Sequence, residues 1–114
     1  MSKREPQLLI DDIVEAANKI LKFTKDMNFE TFARDEKTMD AVIRNFEIIG
    51  EASNRFPKEF KDLHKKIDWK RLVGFRNRIV HEYFGIDRSI VWNITQNYLP
   101  EMLKDFKVLI KQNK

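Results

Sequence analysis

Only three glycines and three prolines interrupt 114 residues, so the chain lacks the turn material that an all-β fold needs and must use a few long elements. Its apolar residues recur at three and four positions, the helical period. In residues 7–27, Leu9, Ile13, Ala16, Ala17, Ile20, Phe23 and Met27 keep that spacing, with Asp12, Glu15, Lys19 and Lys22 between them. Pro6 suits a first helical turn, where its missing N–H is no loss.

Residues 28–34 read as a connection in which Phe29 and Phe32 fold back on the first helix. A second helix, residues 35–56, is carried by Met39, Val42, Ile43, Phe46, Ile49 and Ser53 and is stopped by Pro57. Gly50 and Ala52 are small enough to let a neighbouring helix approach closely. Residues 57–66 form a short basic piece with Phe60 and Leu63 as apolar contacts, and Asp68 is an N-cap for the helix that follows. Gly85 fits the left-handed position just past that helix. Asp87 or Ser89 then caps a final helix carrying Ile90, Val91, Ile94, Tyr98, Leu99, Met102, Phe106 and Ile110, which Pro100 must bend or divide. The expectation is an all-α fold, an antiparallel bundle of four to five helices, in a single domain spanning residues 1–114 without repeats or linkers.

Charge is spread unevenly. The whole chain is +4, yet residues 55–81 carry nine Lys or Arg against three Asp or Glu, while residues 1–54 are net negative. A concentrated basic segment attracts a polyanion such as RNA; a solvated basic face without a partner accounts for charge alone equally well. With no cysteine, disulfides, thiolate metal sites and cysteine nucleophiles are excluded. Two histidines without a carboxylate constellation make a poor metal site, and no metal or other cofactor is expected. Acidic residues at Asp11 and Asp12 arrive before any signal-like apolar run, and no run is long enough to span a bilayer. The chain reads as cytoplasmic.

The basic segment ends in the helix from Trp69, where Leu72, Val73, Ile79 and Val80 form an apolar stripe that Arg76 interrupts. A guanidinium there needs an acidic partner, a phosphate or a wet interface. His81 can exchange protons near neutral pH, Arg76 can neutralise charge growing on a phosphate, and Asn77 can orient a group by hydrogen bonding. That set suits RNA cleavage without a metal, with the ribose 2′-hydroxyl as nucleophile. Lys70, Arg71 and Arg78 are candidate RNA contacts. Five residues separate Arg76 from His81, about 140° on an ideal helix. Both reach one phosphate only if the helix end distorts or a second copy completes the site, and this points to a homodimer. His64 has no such neighbours and reads as structural, Tyr83 alone as a core ring, and Trp69, Trp92 and the nine phenylalanines as core. A DNA-binding helix-turn-helix is disfavoured by Pro57 and Asp68 within the basic segment and by Leu72, Val73 and Phe75 at the would-be reading end.

Arg76, Asn77, His81 and Tyr83 match the Arg-x4-His-x-Tyr pattern of the HEPN superfamily, and the chain resembles its HepT-like branch. Residues 40–52 are similar to that branch's second helix, and residues 81–87 continue into Val91 and Trp92 as its members do. The resemblance implies an endoribonuclease toxin of a type VII toxin-antitoxin pair, dimeric, with Arg and His from both subunits in a cleft at the two-fold axis. It also implies a minimal nucleotidyltransferase as antitoxin, which transfers AMP units to the motif tyrosine, here Tyr83. The alternative is a non-catalytic subunit that binds a nucleotide or docks a nucleotidyltransferase.

Overall fold

The computed structural model describes residues 5–82 and 85–112, the side chains of 111 and 112 excepted. Among them every regular element is helical: α1 (Pro6–Thr24), α2 (Phe29–Arg34), α3 (Glu36–Asn54), α4 (Lys58–Leu63), α5 (Trp69–Glu82), α6 (Arg88–Asn93), a π-helical turn (Ile94–Tyr98) and α7 (Leu99–Gln112). The expected all-α bundle is therefore present, with α1, α3, α5 and the continuous α6–α7 rod as its long members. Pairing runs backwards along neighbours: Phe56 meets Trp69 near one end of α3–α5, and Phe46 meets Phe75 further along, so the two helices are antiparallel. Ile10, Ile13 and Ile20 of α1, Val42 and Ile49 of α3, Ile79 of α5, Val91 of α6, and Leu99 and Phe106 of α7 are fully buried between the rods.

Local chemistry sets the boundaries. Asp35 caps α3 by accepting the Thr38 N–H at 3.0 Å, and this bond holds its carboxyl below the ordinary 3.8. A depressed folded pKa means that the stabilisation is complete above the unfolded value and fades as pH falls through the lowered one. Asp35→Ala therefore lowers the thermal midpoint at pH 7, and the gap from wild type closes as the pH is taken below 3.8. Asp87 caps α6 through the Ser89 N–H at 2.8 Å, deciding between the two candidate caps.

Pro100 does divide the last helix, in a particular way. A proline cannot donate to the carbonyl four residues back and its ring crowds that carbonyl. The strain is taken up by the π-helical turn just ahead, where the Leu99 N–H bonds to Ile94 O, five residues back, so the rod continues instead of breaking.

Some expectations need correction. Residues 28–34 contain a helix, nucleated by a reciprocal cap between Asn28 and Thr31, and Phe32 packs on Trp92 at 5.1 Å while Phe29 stays exposed. Phe23, Leu63 and Val80 are also exposed, although Thr24 and Ile79, next to Phe23 and Val80, are buried. Among the described residues no glycine takes a positive φ, so Gly85 does not adopt the left-handed conformation expected of it, and Asp26 is the residue that does, at 65°; residues 83 and 84, which follow α5, lie outside the described residues. No helix among the described residues is long and apolar enough to cross a membrane.

Candidate functional site

The site helix α5 is held at its start, middle and flank by different contacts. At the start, Asp68 Oδ1 accepts the Arg71 N–H at 3.0 Å, as its sequence position predicts. Trp69 donates through Nε1 to the His64 carbonyl at 3.1 Å and places its ring 4.9 Å from Phe56 and 5.8 Å from Phe106. His64, 4.4 Å from the Phe60 ring, thus serves the packing of this corner.

In the middle, α5 lies on α3 at Gly50. A Cβ built on Gly50 would stand 2.1 Å from Arg76 Cβ, 2.7 Å from its Cγ and 3.1 Å from the Leu72 carbonyl oxygen. Only glycine permits this approach, and it delivers the Arg76 stem onto α3. The next residue, Glu51, receives the guanidinium: Nη2 lies 3.3 Å from Glu51 Oε1, and Nη1 donates to Asn77 Oδ1 at 3.0 Å. Arg76 Nε is buried and has no hydrogen-bond partner among the described residues. The polar intrusion in the apolar stripe thus has an acidic partner, one that helical spacing could not reveal because it lies 25 residues away. Its one sequence signal was an acidic residue directly after the small residue that lets two helices meet.

His81 is exposed in the last turn of α5, and Asn77 is exposed one turn earlier. The helix remains α-helical through Glu82, so no distortion before that point swings His81 round to Arg76. The amide of Asn77 is what links the two: its oxygen is on Arg76, and it shares a helix face with His81, four residues on. Arg78 is engaged with Glu82 at 3.1 Å. Arg71 stacks over the Tyr98 ring with Cζ 4.0 Å from its centroid; burial first, and Asp68 second, hold the Tyr98 hydroxyl above its ordinary pKa against the opposing Arg71 charge. Lys70 is exposed beside an open groove between α4 and α5. Tyr83 lies outside the described residues. Among the described residues no group of three His, Asp or Glu side chains is placed to hold a metal ion.

Residues 13–109 match the family described as ribonuclease HepT-like. The chain belongs to the HepT-like family. It is 40% identical over 109 residues to a protein of Thermococcus cleftensis named probable ribonuclease HepT, covering 96% of this chain and 99% of that one. It is 38% identical over 111 residues to a Methanocaldococcus jannaschii protein provisionally named an RNase, covering 97% of this chain and 92% of the relative. A similarly named protein of Caldanaerobacter subterraneus subsp. tengcongensis is 33% identical over 111 residues, 97% and 99% of the two chains. No solved structure matches the chain. The HepT-like match covers all of α3, α4, α5 and α6, and so takes in every described residue of the candidate site.

Proposed function

We propose that the protein is a metal-independent endoribonuclease that cleaves RNA with Arg76, Asn77 and His81, and that a second copy completes the site. The observation that carries this reading is the placement of Arg76. Its guanidinium is anchored on one side by Glu51 and on the other by Asn77, and Asn77 in turn shares the solvent face of α5 with His81. Membership of a ribonuclease HepT-like family supports the same chemistry.

His81 takes the proton from a ribose 2′-hydroxyl as its oxygen bonds to the adjacent phosphorus. The bond from phosphorus to the 5′-oxygen breaks, and that oxygen takes a proton from a water molecule, which the imidazolium in turn makes good. Arg76 offsets the charge on the phosphate oxygens as it grows. The products are a 2′,3′-cyclic phosphate and a 5′-hydroxyl, and a DNA strand is inert. An oligodeoxynucleotide carrying one ribose tests the route in EDTA: cleavage occurs only on the 3′ side of that ribose. Cleavage within the deoxy segments, or intact RNA and chimera at every protein concentration, would refute it.

We place the protein as the toxin of a type VII toxin-antitoxin pair whose partner is a minimal nucleotidyltransferase. That enzyme transfers AMP from ATP to the Tyr83 hydroxyl with release of pyrophosphate, adding negative charge and bulk two residues from His81. Protein produced with such a partner shows added AMP mass by intact mass spectrometry, and Tyr83→Phe removes it. An unchanged mass in the co-produced wild type defeats this part alone.

A further inference from the structure

A groove of about 840 Å³ runs between α4 and α5. Lys61, Lys65 and Lys70 stand along it, and Val73, Gly74 and Asn77 lie on its α5 side. Lys66 also borders the groove but is paired with Asp105 at 3.3 Å, and the bordering Asp68 is occupied as the α5 cap. Asp62 and the capping Asp68 are thus the two carboxylates set against three lysines that have no ion pair among the described residues.

Two features tie this groove to the reacting groups. Lys70, Gly74, Asn77 and His81 are spaced by four, three and four residues, which at 100° per residue puts them within about 60° on one face of α5, along roughly 16 Å of helix. The α5 wall of the groove ends at Asn77, and the same helix face carries on to His81 one turn further. The second feature is Gly74. It is exposed in the interior of a helix, and a Cβ built on it would touch nothing within 4 Å. Glycine at such a position costs about 1 kcal/mol relative to alanine, and nothing among the described residues needs its smallness. A backbone bare of side chain suits close approach by a molecule from outside.

We infer that this groove is the track of a single RNA strand, with Lys61, Lys65 and Lys70 on successive phosphates, the bare backbone at Gly74 admitting the strand, and His81 at the end of the path. Single strands are held where a basic channel offers apolar or aromatic surface to the bases, here the half-buried Val73 and Trp69. The inference rests on the ribonuclease reading and names how the substrate reaches that site.

Binding of a labelled, unstructured oligoribonucleotide is measured by fluorescence anisotropy over a range of salt, in the His81→Ala protein so that nothing is cut. Adding Lys61→Glu, Lys65→Glu and Lys70→Glu together weakens binding by about 100-fold at low salt and flattens the slope of log K against log salt by about 2, as loss of three phosphate contacts requires. The same charge change at Lys19, Lys22 and Lys25, on α1 and just past it, where the helix packs on α3 and α7, weakens binding by only about threefold, since distant charges are screened. Gly74→Gln leaves the charge untouched and still weakens binding about tenfold by filling the floor. Equal losses in the two lysine triples, an unaffected groove triple, or no binding by the parent overturns the inference. So does a loss that follows dissociation of dimers in sedimentation, which would assign the face to a second copy or another protein. If wild type cuts RNA and the groove triple in a His81 background cuts equally well, the track is wrong and the ribonuclease stands. If groove-dependent binding is found and wild type cuts nothing, the track stands and the ribonuclease falls.

Discussion

His81→Ala lowers RNA cleavage by about 10²–10⁴-fold, the usual worth of a positioned acid or base, while the thermal transition of the protein stays in place. The side chain is exposed, so its removal opens no cavity and strands no buried partner. Arg76→Ala is expected to cost about 10²–10³-fold in turnover and to lower stability as well, since it leaves the Glu51 carboxylate alone beside α5. Arg76→Lys retains charge without the planar fork and recovers little. Glu51→Gln keeps the packing volume and acts on cleavage through the aim of Arg76, lowering turnover more than substrate affinity. The decisive measurement is a mixture. If one copy supplies Arg76 and the other His81, refolding Arg76→Ala with His81→Ala in equal amounts yields mixed dimers with one intact site, and about a quarter of wild-type activity returns from two inactive proteins. A mixture that stays inactive shows that each chain makes its own site, and the 140° separation on α5 must then be closed by movement within one copy.

Much of this could be read from residue order alone, and what could not has a physical reason. The long helices follow from apolar periodicity and from single residues such as Asp68 and Pro100, whose effects act within a turn. The motif of Arg76, Asn77 and His81 lies within six residues, inside the range where helical geometry is dependable. The pairing of Arg76 with Glu51, the stacking of Arg71 on Tyr98 and the groove beside Lys61 and Lys65 each join different helices. Periodicity tells which face of a helix is apolar and not which residue stands across from it. The same limit explains Phe23, Phe29 and Leu63, which carry the chemistry of core residues and yet stay exposed. The cap between Asn28 and Thr31 was the exception: it is local and was there to be read.

Gly50→Ala and Gly74→Ala change stability in opposite directions, although both replace a glycine inside a helix. Alanine is the better helix former by about 1 kcal/mol, and at Gly74 that gain is realised because the new methyl meets open space. Gly74→Ala is therefore expected to stabilise the protein by about 1 kcal/mol. At Gly50 the methyl would stand 2.1 Å from Arg76 Cβ. No rotamer of Arg76 moves its own Cβ, and the nearest backbone atom, the Leu72 carbonyl oxygen, belongs to the same helix. Relief requires α5 to move off α3, which strains the packing of Phe75 on Phe46 and the reach of Arg76 to Glu51. Overpacking of this kind costs about 1–3 kcal/mol, and here it outweighs the propensity gain. Because Arg76 rides on the displaced helix, cleavage falls further than stability does: a shift near 1 Å can cost about 10²-fold. Urea unfolding of the two variants beside wild type, with cleavage measured well below the transition, checks both halves. A neutral or stabilising Gly50→Ala would mean that α3 and α5 do not meet as closely as 2.1 Å implies. A destabilising Gly74→Ala would mean that something already covers that face, and a second copy bound there would show it by making the loss depend on protein concentration.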